Sequence, residues 1–436
     1  MSAAANNVAD DYTILGRGSY GAVFKPALPN TIDGVDTTYP GNVTKVFYKK
    51  NTYNKTLNTI SKLPEIMNKR GHNAGHNVHT YTRKYKGRNL NPKLLLNLQK
   101  INPSFLPNSN LHLYRMPNLG YDISQIKVNP EMKHKLRTIQ FGVILEQIVK
   151  LIRQTTSLVE SNYAHMDIRP SNVMINPDTG VLTIVDFDLM KPIPKLAAEF
   201  TSFGYYNEPP ECLLHHRWYG VTDIHIPVDR VVQYIRPVDI DNYVKYQYNG
   251  FIDAIRERNG SITLNDYKEI VISANKINIE YIRDLLRDKT VDEVMNSFRD
   301  YIIPTIDNFG LGMTLLQLLA ILYPGSVYAG DSKRFGTPEE FDRKRVESEE
   351  ELKVSLEPRV PEEFKEDIKY MTHALREISL ILNLMCSFEL QNRPPYDWVL
   401  THAERILANY NSRNLSNVIV GGGGSGGGKR RRRRAA

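Results

Sequence analysis

Two kinds of hydrophobic pattern divide the chain. Up to Asp122 the apolar residues fall in short β-type runs; beyond it they recur mainly at helical spacing. Residues 12–15 and 22–24 are β-formers on either side of a glycine-rich turn, which predicts strand–turn–strand. Residues 42–48 read as a further strand, and residues 111–122 alternate and then break, as a strand running into a linker would. Between Phe141 and Glu160, one helical stripe of Ile144, Leu145, Ile148, Leu151, Ile152 and Leu158 predicts a buried helix. Residues 173–175 and 182–185 are short apolar runs joined by the turn signal Asn176-Pro-Asp-Thr-Gly180, and together they predict a hairpin. Helices are expected over residues 265–298, 313–320, 361–385 and 395–410. The polar stretches 26–41, 71–91 and 328–356 read as connections. In the second of these, His72, His76 and His79 have no cysteine or acid beside them, so an exposed loop is expected rather than a metal site.

Chemistry gathers around the predicted hairpin. Asp167 and Asn172 lie on the short polar loop His165-Met-Asp-Ile-Arg-Pro-Ser-Asn172, and Asp186 ends the second strand. One carboxylate can orient a hydroxyl nucleophile. An amide and a second carboxylate are hard oxygen donors of the kind Mg²⁺ takes. That is equipment for phosphoryl transfer. Nearer the start, Gly16, Arg17, Gly18, Ser19, Tyr20 and Gly21, with Val23, form a G-x-G-x-x-G-x-V run. Missing Cβ atoms there would let backbone approach phosphates. A dinucleotide-binding fold would open a helix at the third glycine, and the Pro and Gly residues that follow argue against it.

Composition narrows the class. The 436 residues suffice for two lobes and an insertion, and 41% apolar with 24% charged residues is ordinary for a globular chain. No apolar run is expected to span a bilayer, and Met1-Ser-Ala-Ala-Ala-Asn-Asn7 lacks the basic and apolar parts of a secretory signal. Cys212 and Cys386 form no disulfide framework and match no zinc spacing, so a soluble protein in a reducing, intracellular setting is expected. The net charge of +8 is unevenly placed: residues 429–434 are all basic, and Glu65 is the only acid between Lys45 and Arg115. These basic regions would suit acidic partners or nucleic acid, or would simply be solvated. The tail follows a Gly/Ser linker at residues 421–428 and reads as a nuclear localisation signal, an anionic-surface tether or an appended tag.

Taken together and in this order, the motifs resemble those of eukaryotic-type protein kinases over residues 12–410, apart from an insertion. The stretch from His165 to Asn172 resembles the H-R-D-x-x-x-x-N catalytic loop, and Asp186-Phe-Asp188 resembles D-F-G. Met116-Pro-Asn-Leu-Gly120 is similar to the hinge of casein kinase 1. The resemblance implies an α+β, bilobal protein-kinase fold: a β-rich small lobe over residues 12–115, a hinge at 116–122 and a mainly helical large lobe over 123–419. A large-lobe insertion would occupy about residues 213–304, with residues 1–11 a disordered leader and 420–436 the linker and tail. ATP would bind between the lobes, and the γ-phosphate of Mg-ATP would pass to serine or threonine hydroxyls of protein substrates.

The resemblance also implies roles for single residues. Asp167 would orient the acceptor hydroxyl, Asn172 and Asp186 would hold Mg²⁺, and Lys45 would bind the α- and β-phosphates. Arg169 would stand in for the lysine of Ser/Thr kinases. Lys45 would pair with a glutamate on the next helix, for which Glu65 is the one acid before Asp122. Met116 would be the gatekeeper, and backbone from Pro117 to Leu119 would bind adenine. Residues 201–211 resemble the end of an activation segment, with Glu211 paired to Arg393, and Asp307 stands near the start of a central helix. There are departures. Met166 replaces the arginine of the loop, which implies independence from activation-loop phosphorylation. Asp188 replaces the glycine of D-F-G and adds negative charge beside the metal site. The hinge, the altered D-F-G and the insertion are similar to kinases encoded by large DNA viruses, which would place the protein in a host cytoplasm or nucleus, or in a virion. The competing readings are a kinase-fold scaffold without catalysis and a nucleic-acid binder, the latter with strongly salt-dependent affinity.

Overall fold

A computed structural model describes residues 13–17, 21–25, 27–28, 30–32, 35–37, 41–47, 49–63, 66, 79–84, 96, 99, 110–199, 209–217, 225–233, 237–247, 264–287, 293, 303–323 and 368–421. The chain divides into two compact units. The first holds Met1–Gly120, Ser157–Met166 and Val185–Lys191; the second holds Tyr121–Thr156, Asp167–Ile184 and Pro192–Ala436. The architecture is mixed α+β, rich in strands toward the N-terminus and in helices toward the C-terminus.

In the first unit the elements are β1 (Thr13–Arg17), β2 (Gly21–Lys25), β3 (Asn30–Ile32), β4 (Val35–Thr37), β5 (Asn42–Phe47), α1 (Lys50–Ile60), β6 (His79–Lys84) and β7 (Asn110–Pro117). Five of the strands form one antiparallel sheet in the order β1-β2-β5-β7-β6. β5 is its centre, and Val43 to Phe47 are all buried, so both faces of that strand are covered. α1 lays Tyr53 against Phe47, with ring centroids 5.6 Å apart, and Leu57 and Ile60 pack on the same Phe47–Tyr53–Tyr114 cluster. Its lysines Lys50 and Lys55 face water. Two stretches expected to be plain connections carry strands. β3 and β4 pair as a small hairpin within residues 26–41, and β6 lies within residues 71–91. A polar run signals a strand only weakly by itself; here the backbone of β7 supplies the ladder that β6 completes.

The second unit begins with a chain of capped helices. Asp122 Oδ1 accepts the Gln125 N–H at 2.9 Å and opens α2 (Ile123–Val128). Asn129 Oδ1 accepts the Met132 N–H at 3.0 Å and opens α3 (Pro130–Arg137), with Pro130 in the first turn where no N–H is needed. α4 (Phe141–Glu160) covers the predicted span, and its predicted stripe is buried throughout. The hairpin of β8 (Val173–Ile175) and β9 (Leu182–Ile184) closes through Asn176, whose Oδ1 accepts the N–H groups of Asp178 and Thr179. Gly180 completes that turn at φ +74°, and the short strand Tyr121–Asp122 pairs with β8 on its other side.

Among the described residues the further α-helices are α5 (Ile193–Glu199), α6 (Val228–Gln233), α7 (Pro237–Gln247), α8 (Leu264–Leu286), α9 (Ile303–Leu322), α10 (Ile368–Met385) and α11 (Tyr396–Gly421). α8 comes from the stretch expected to be an insertion, and it is bound into the core. Asn278 donates to Phe388 O at 2.9 Å and accepts the Leu390 N–H at 2.8 Å, while Tyr267 meets the Phe388 ring edge-on. Contrary to the expectation of no membrane-length apolar run, α9 is long and apolar enough to cross a membrane by length and composition. Of that window, 89% is buried within the protein, as a core helix requires. Gly312 allows α10 to come close: a Cβ there would lie 2.9 Å from Leu382 O.

Candidate functional site

Lys45 lies on the central strand β5, opposite Val23 of β2 and Tyr114 of β7. It is only 7% exposed, and a buried ammonium requires opposite charge beside it. Two carboxylates supply that charge. Lys45 Nζ donates to Asp186 Oδ1 at 2.7 Å and to Asp188 Oδ2 at 3.1 Å. The other oxygen of Asp188 accepts from Thr56 Oγ1 of α1 at 2.5 Å. The Phe47 and Tyr114 rings flank the ammonium at 5.4 and 5.9 Å.

Charge and burial act together at this group. Burial alone would lower the Lys45 pKa, but Tyr114, Asp186 and Asp188 outweigh it and hold the ammonium well above the usual lysine range. Burial pushes the Tyr114 phenol up to about 12, so it is neutral at ordinary pH. For Asp186, burial is outweighed by the Lys45 charge and hydrogen bond, which hold its carboxyl below the usual range. Burial and the neighbouring Asp186 push Asp188 the other way, against the pull of Lys45. The Asp186 side chain is 36% exposed and that of Asp188 only 6%, so Asp186 is the carboxylate that solvent or a ligand can reach.

The segment bearing these carboxylates is held in an uncommon backbone conformation. Asp186 sits in the left-handed region at φ 65° and ψ 63°, a cost of about 1–2 kcal/mol for an L-residue that aspartate tolerates better than most. His165 braces it: its Nε2 is 3.2 Å from Val185 O, and its ring lies 4.7 Å from that of Phe187.

The second unit holds a separate polar group. Asn172 follows a tight turn, Pro170–Asn172, in which the Asn172 N–H donates to Arg169 O at 2.8 Å. The turn folds the Asn172 side chain back, and its Nδ2 donates to Asp167 O at 2.9 Å and to Asp167 Oδ2 at 2.7 Å. With both contacts made by Nδ2, the Oδ1 atom is the one free to ligate. Arg169 Nε lies 3.3 Å from Asp167 Oδ1, and the Asp167 side chain is 7% exposed. The residue before Asp167, Met166, is also left-handed, at φ 67°. Such backbone strain clusters where side chains must be aimed.

Elsewhere in this unit, Glu211 and Arg393 form the expected pair. Arg393 Nη2 donates to Glu211 Oε2 at 2.6 Å and Nη1 donates to Oε1, with 0% and 2% of the Arg393 and Glu211 side chains exposed. Arg393 is also fixed by Ser387 O at 2.7 Å, by Thr305 Oγ1 at 3.2 Å and by the Phe309 ring. Asp307 is buried within α9.

Of the residues singled out in the sequence, the structure brings Lys45 to Asp186, and it brings Asp167 to Asn172 and Arg169. Gly16 and Arg17 end β1 in register with Val23 and Ala22. Gly18, Ser19, Tyr20, Glu65 and residues 201–208 of the expected activation segment lie outside the described residues, as do residues 422–436 of the linker and basic tail. At Gly21 the demand for glycine comes from the sheet, since a Cβ would lie 2.2 Å from Val46 O. Met116 packs half-buried on the Phe47–Tyr53–Tyr114 cluster, Leu119 is half-buried, and the Asn118 N–H donates to Gly41 O at 2.8 Å. Sequence reasoning missed Thr56 altogether and gave Asp188 no partner. The signal was available: α1 carries no acidic residue, while an extra aspartate stands two positions after Asp186.

Among the described residues, no cluster of three or more His, Cys, Asp or Glu side chains could hold a metal by itself. Asp186 in the first unit and the Asn172 amide in the second are each, taken separately, hard oxygen donors. An ionised, partly exposed carboxylate and an amide oxygen fit Mg²⁺ in kind, because that ion commonly takes one or two protein oxygens and completes its shell with phosphate and water. A scan against protein-family models returns no match, and neither does a search of curated proteins.

Proposed function

We propose that the chain is a protein kinase of the bilobal type that transfers the γ-phosphate of Mg-ATP to serine and threonine hydroxyls of proteins. The observation that carries this reading is the contact of buried Lys45 with the partly exposed Asp186, 2.7 Å apart across 141 positions of sequence. It joins two residues from separate motifs, one a cation suited to phosphate oxygens and the other a hard metal ligand. The glycine run precedes the strand next to Lys45 in the sheet.

In this reading Lys45 turns an N–H toward the phosphates, having three donors and two carboxylate partners. Asp186 and Asn172 Oδ1 would hold Mg²⁺, which when bound would neutralise charge on the phosphate oxygens. Asp167 accepts a hydrogen bond from the substrate hydroxyl and aims its oxygen, while the Asn172 amide fixes the rotamer of that carboxylate. Arg169 adds a forked positive charge near the transferred group. The Leu119 backbone is the hinge donor for adenine, because the Asn118 N–H is committed to Gly41. Positioning and fixed charge provide most of the acceleration.

Two departures favour the scaffold instead: Met166 stands in place of the catalytic-loop arginine, and Asp188 in place of the D-F-G glycine. Transfer of labelled γ-phosphate from Mg-ATP to casein and to basic proteins separates the two. Wild type should yield phosphoserine or phosphothreonine, and Asp167→Asn and Asp186→Ala should abolish it. Nucleotide binding with no transfer to any substrate or to the protein itself would leave the scaffold.

A further inference from the structure

A buried lysine offered to a polyphosphate needs a counter-charge that stays in place when the ligand arrives. Of the two carboxylates on Lys45, only one can serve. Asp186 is the more exposed and is the candidate metal ligand, so its charge is called on elsewhere when nucleotide binds. Asp188 is buried, and both its oxygens are occupied, one by Lys45 and one by Thr56. α1, which packs against the Phe187–Leu189 turn, carries no carboxylate of its own. At its middle, where a side chain faces this group, it offers the Thr56 hydroxyl.

We infer that Asp188 is the positioning residue for Lys45, holding the ammonium toward the phosphates through a Thr56–Asp188–Lys45 relay that couples α1 to the site. This rests on the kinase reading and assigns the lysine's permanent partner within it. Asp188 touches no substrate. It acts through Lys45, and Thr56 acts through Asp188. The aspartate in place of the D-F-G glycine is then a gain of function at that position: a charge carried by the turn compensates for its absence from the helix.

The test is a double-mutant cycle in the full chain, using Mg-ATP turnover and, independently, the affinity for a fluorescent ATP analogue. Asp188→Asn keeps shape and removes charge. It should lower kcat about 10- to 100-fold, with KM for protein substrate unchanged. Lys45→Met should lower kcat at least as far, and the double variant should be no worse than Lys45→Met alone. Thr56→Val, which leaves the carboxylate but cuts its tether, should give a smaller loss of the same kind. A relocated charge, Thr56→Glu with Asp188→Gly, should recover a large part of the activity, because residue 56 already reaches the carboxylate that touches Lys45. Melting temperature identifies any variant that simply fails to fold, and the relocated pair decides the matter if Asp188→Asn does so.

Losses that multiply in the double variant, or an Asp188→Gly protein as active as wild type, would overturn the inference. Should wild type bind nucleotide but transfer nothing, the kinase reading falls, while the same cycle read in analogue affinity still decides whether Asp188 positions Lys45. Wild type that binds no nucleotide sinks both.

Discussion

Arg393 grips the Glu211 carboxylate with both arms of its guanidinium, across 182 positions of sequence and out of reach of water. Such a pair gains little over a well-packed apolar substitute, but breaking one half strands a buried charge. Arg393→Met should therefore destabilise the protein by about 3–5 kcal/mol. Replacing both partners with apolar residues should cost much less. Urea denaturation of the single and double variants checks this; equal losses would mean that Ser387, Thr305 and the Phe309 ring, rather than Glu211, make Arg393 important.

On the proposed kinase reading, loss of Lys45 should act on catalysis more than on folding. The Lys45→Met side chain still fills the space beside Phe47 and Tyr114, but it leaves Asp186 and Asp188 facing each other. Phosphate transfer should fall about 10²–10³-fold, the scale set by removing one preorganised charged donor. Steady-state kinetics, with folding followed by circular dichroism, separate the two effects.

Two glycines should prove intolerant for reasons of space alone. A Cβ at residue 21 would meet Val46 O at 2.2 Å, and one at residue 312 would meet Leu382 O at 2.9 Å. Backbone carbonyls cannot swing aside as side chains can, so each Gly→Ala change should cost about 1–3 kcal/mol. Gly41→Ala is an informative contrast: nothing lies within 4 Å, but φ is +82°, so any cost there would be conformational. Thermal denaturation of the three variants tests the ordering.

Asn278 should be the lock between α8 and the core. Asn278→Leu would leave Phe388 O and the Leu390 N–H buried without their amide partner, at a cost of about 1–3 kcal/mol. If stability is unchanged, the packing of α8 through Tyr267 and Ile282 suffices without the lock.

Buried tyrosines should govern alkaline stability. Burial, followed by neighbouring ionisable groups, holds the Tyr243 and Tyr267 phenols well above the usual value. The unfolded chain therefore releases these protons first. Their contribution is fully present below pH about 10 and is lost as pH rises from there toward the higher folded values. Guanidinium unfolding between pH 9 and 11.5 should show stability falling with pH, and Tyr243→Phe should flatten that slope. An unchanged slope would assign the loss to other groups.

What local sequence determines, it determines for a clear reason. The α4 stripe recurs at helical spacing, the β8–β9 hairpin is announced by Asn176 and Gly180, and Asp122 and Asn129-Pro130 are helix starts that need no distant partner. Asp167, Asn172 and Asp186 stand out in the sequence as polar residues on short motifs, and the structure shows Asp167 meeting Asn172 and Asp186 meeting Lys45. Tertiary structure alone decided the rest. β6 is a strand because β7 is there to pair with it, and α8 is core because one amide reaches the chain around Leu390. Asp188 reads in isolation as surplus charge. It becomes the partner of Lys45 only when a strand, a turn and a helix far apart in sequence bring an ammonium, a carboxylate and a hydroxyl within hydrogen-bond reach. Periodicity and turn chemistry act over a few residues, whereas the cost of burying a charge is met by whatever the fold places beside it.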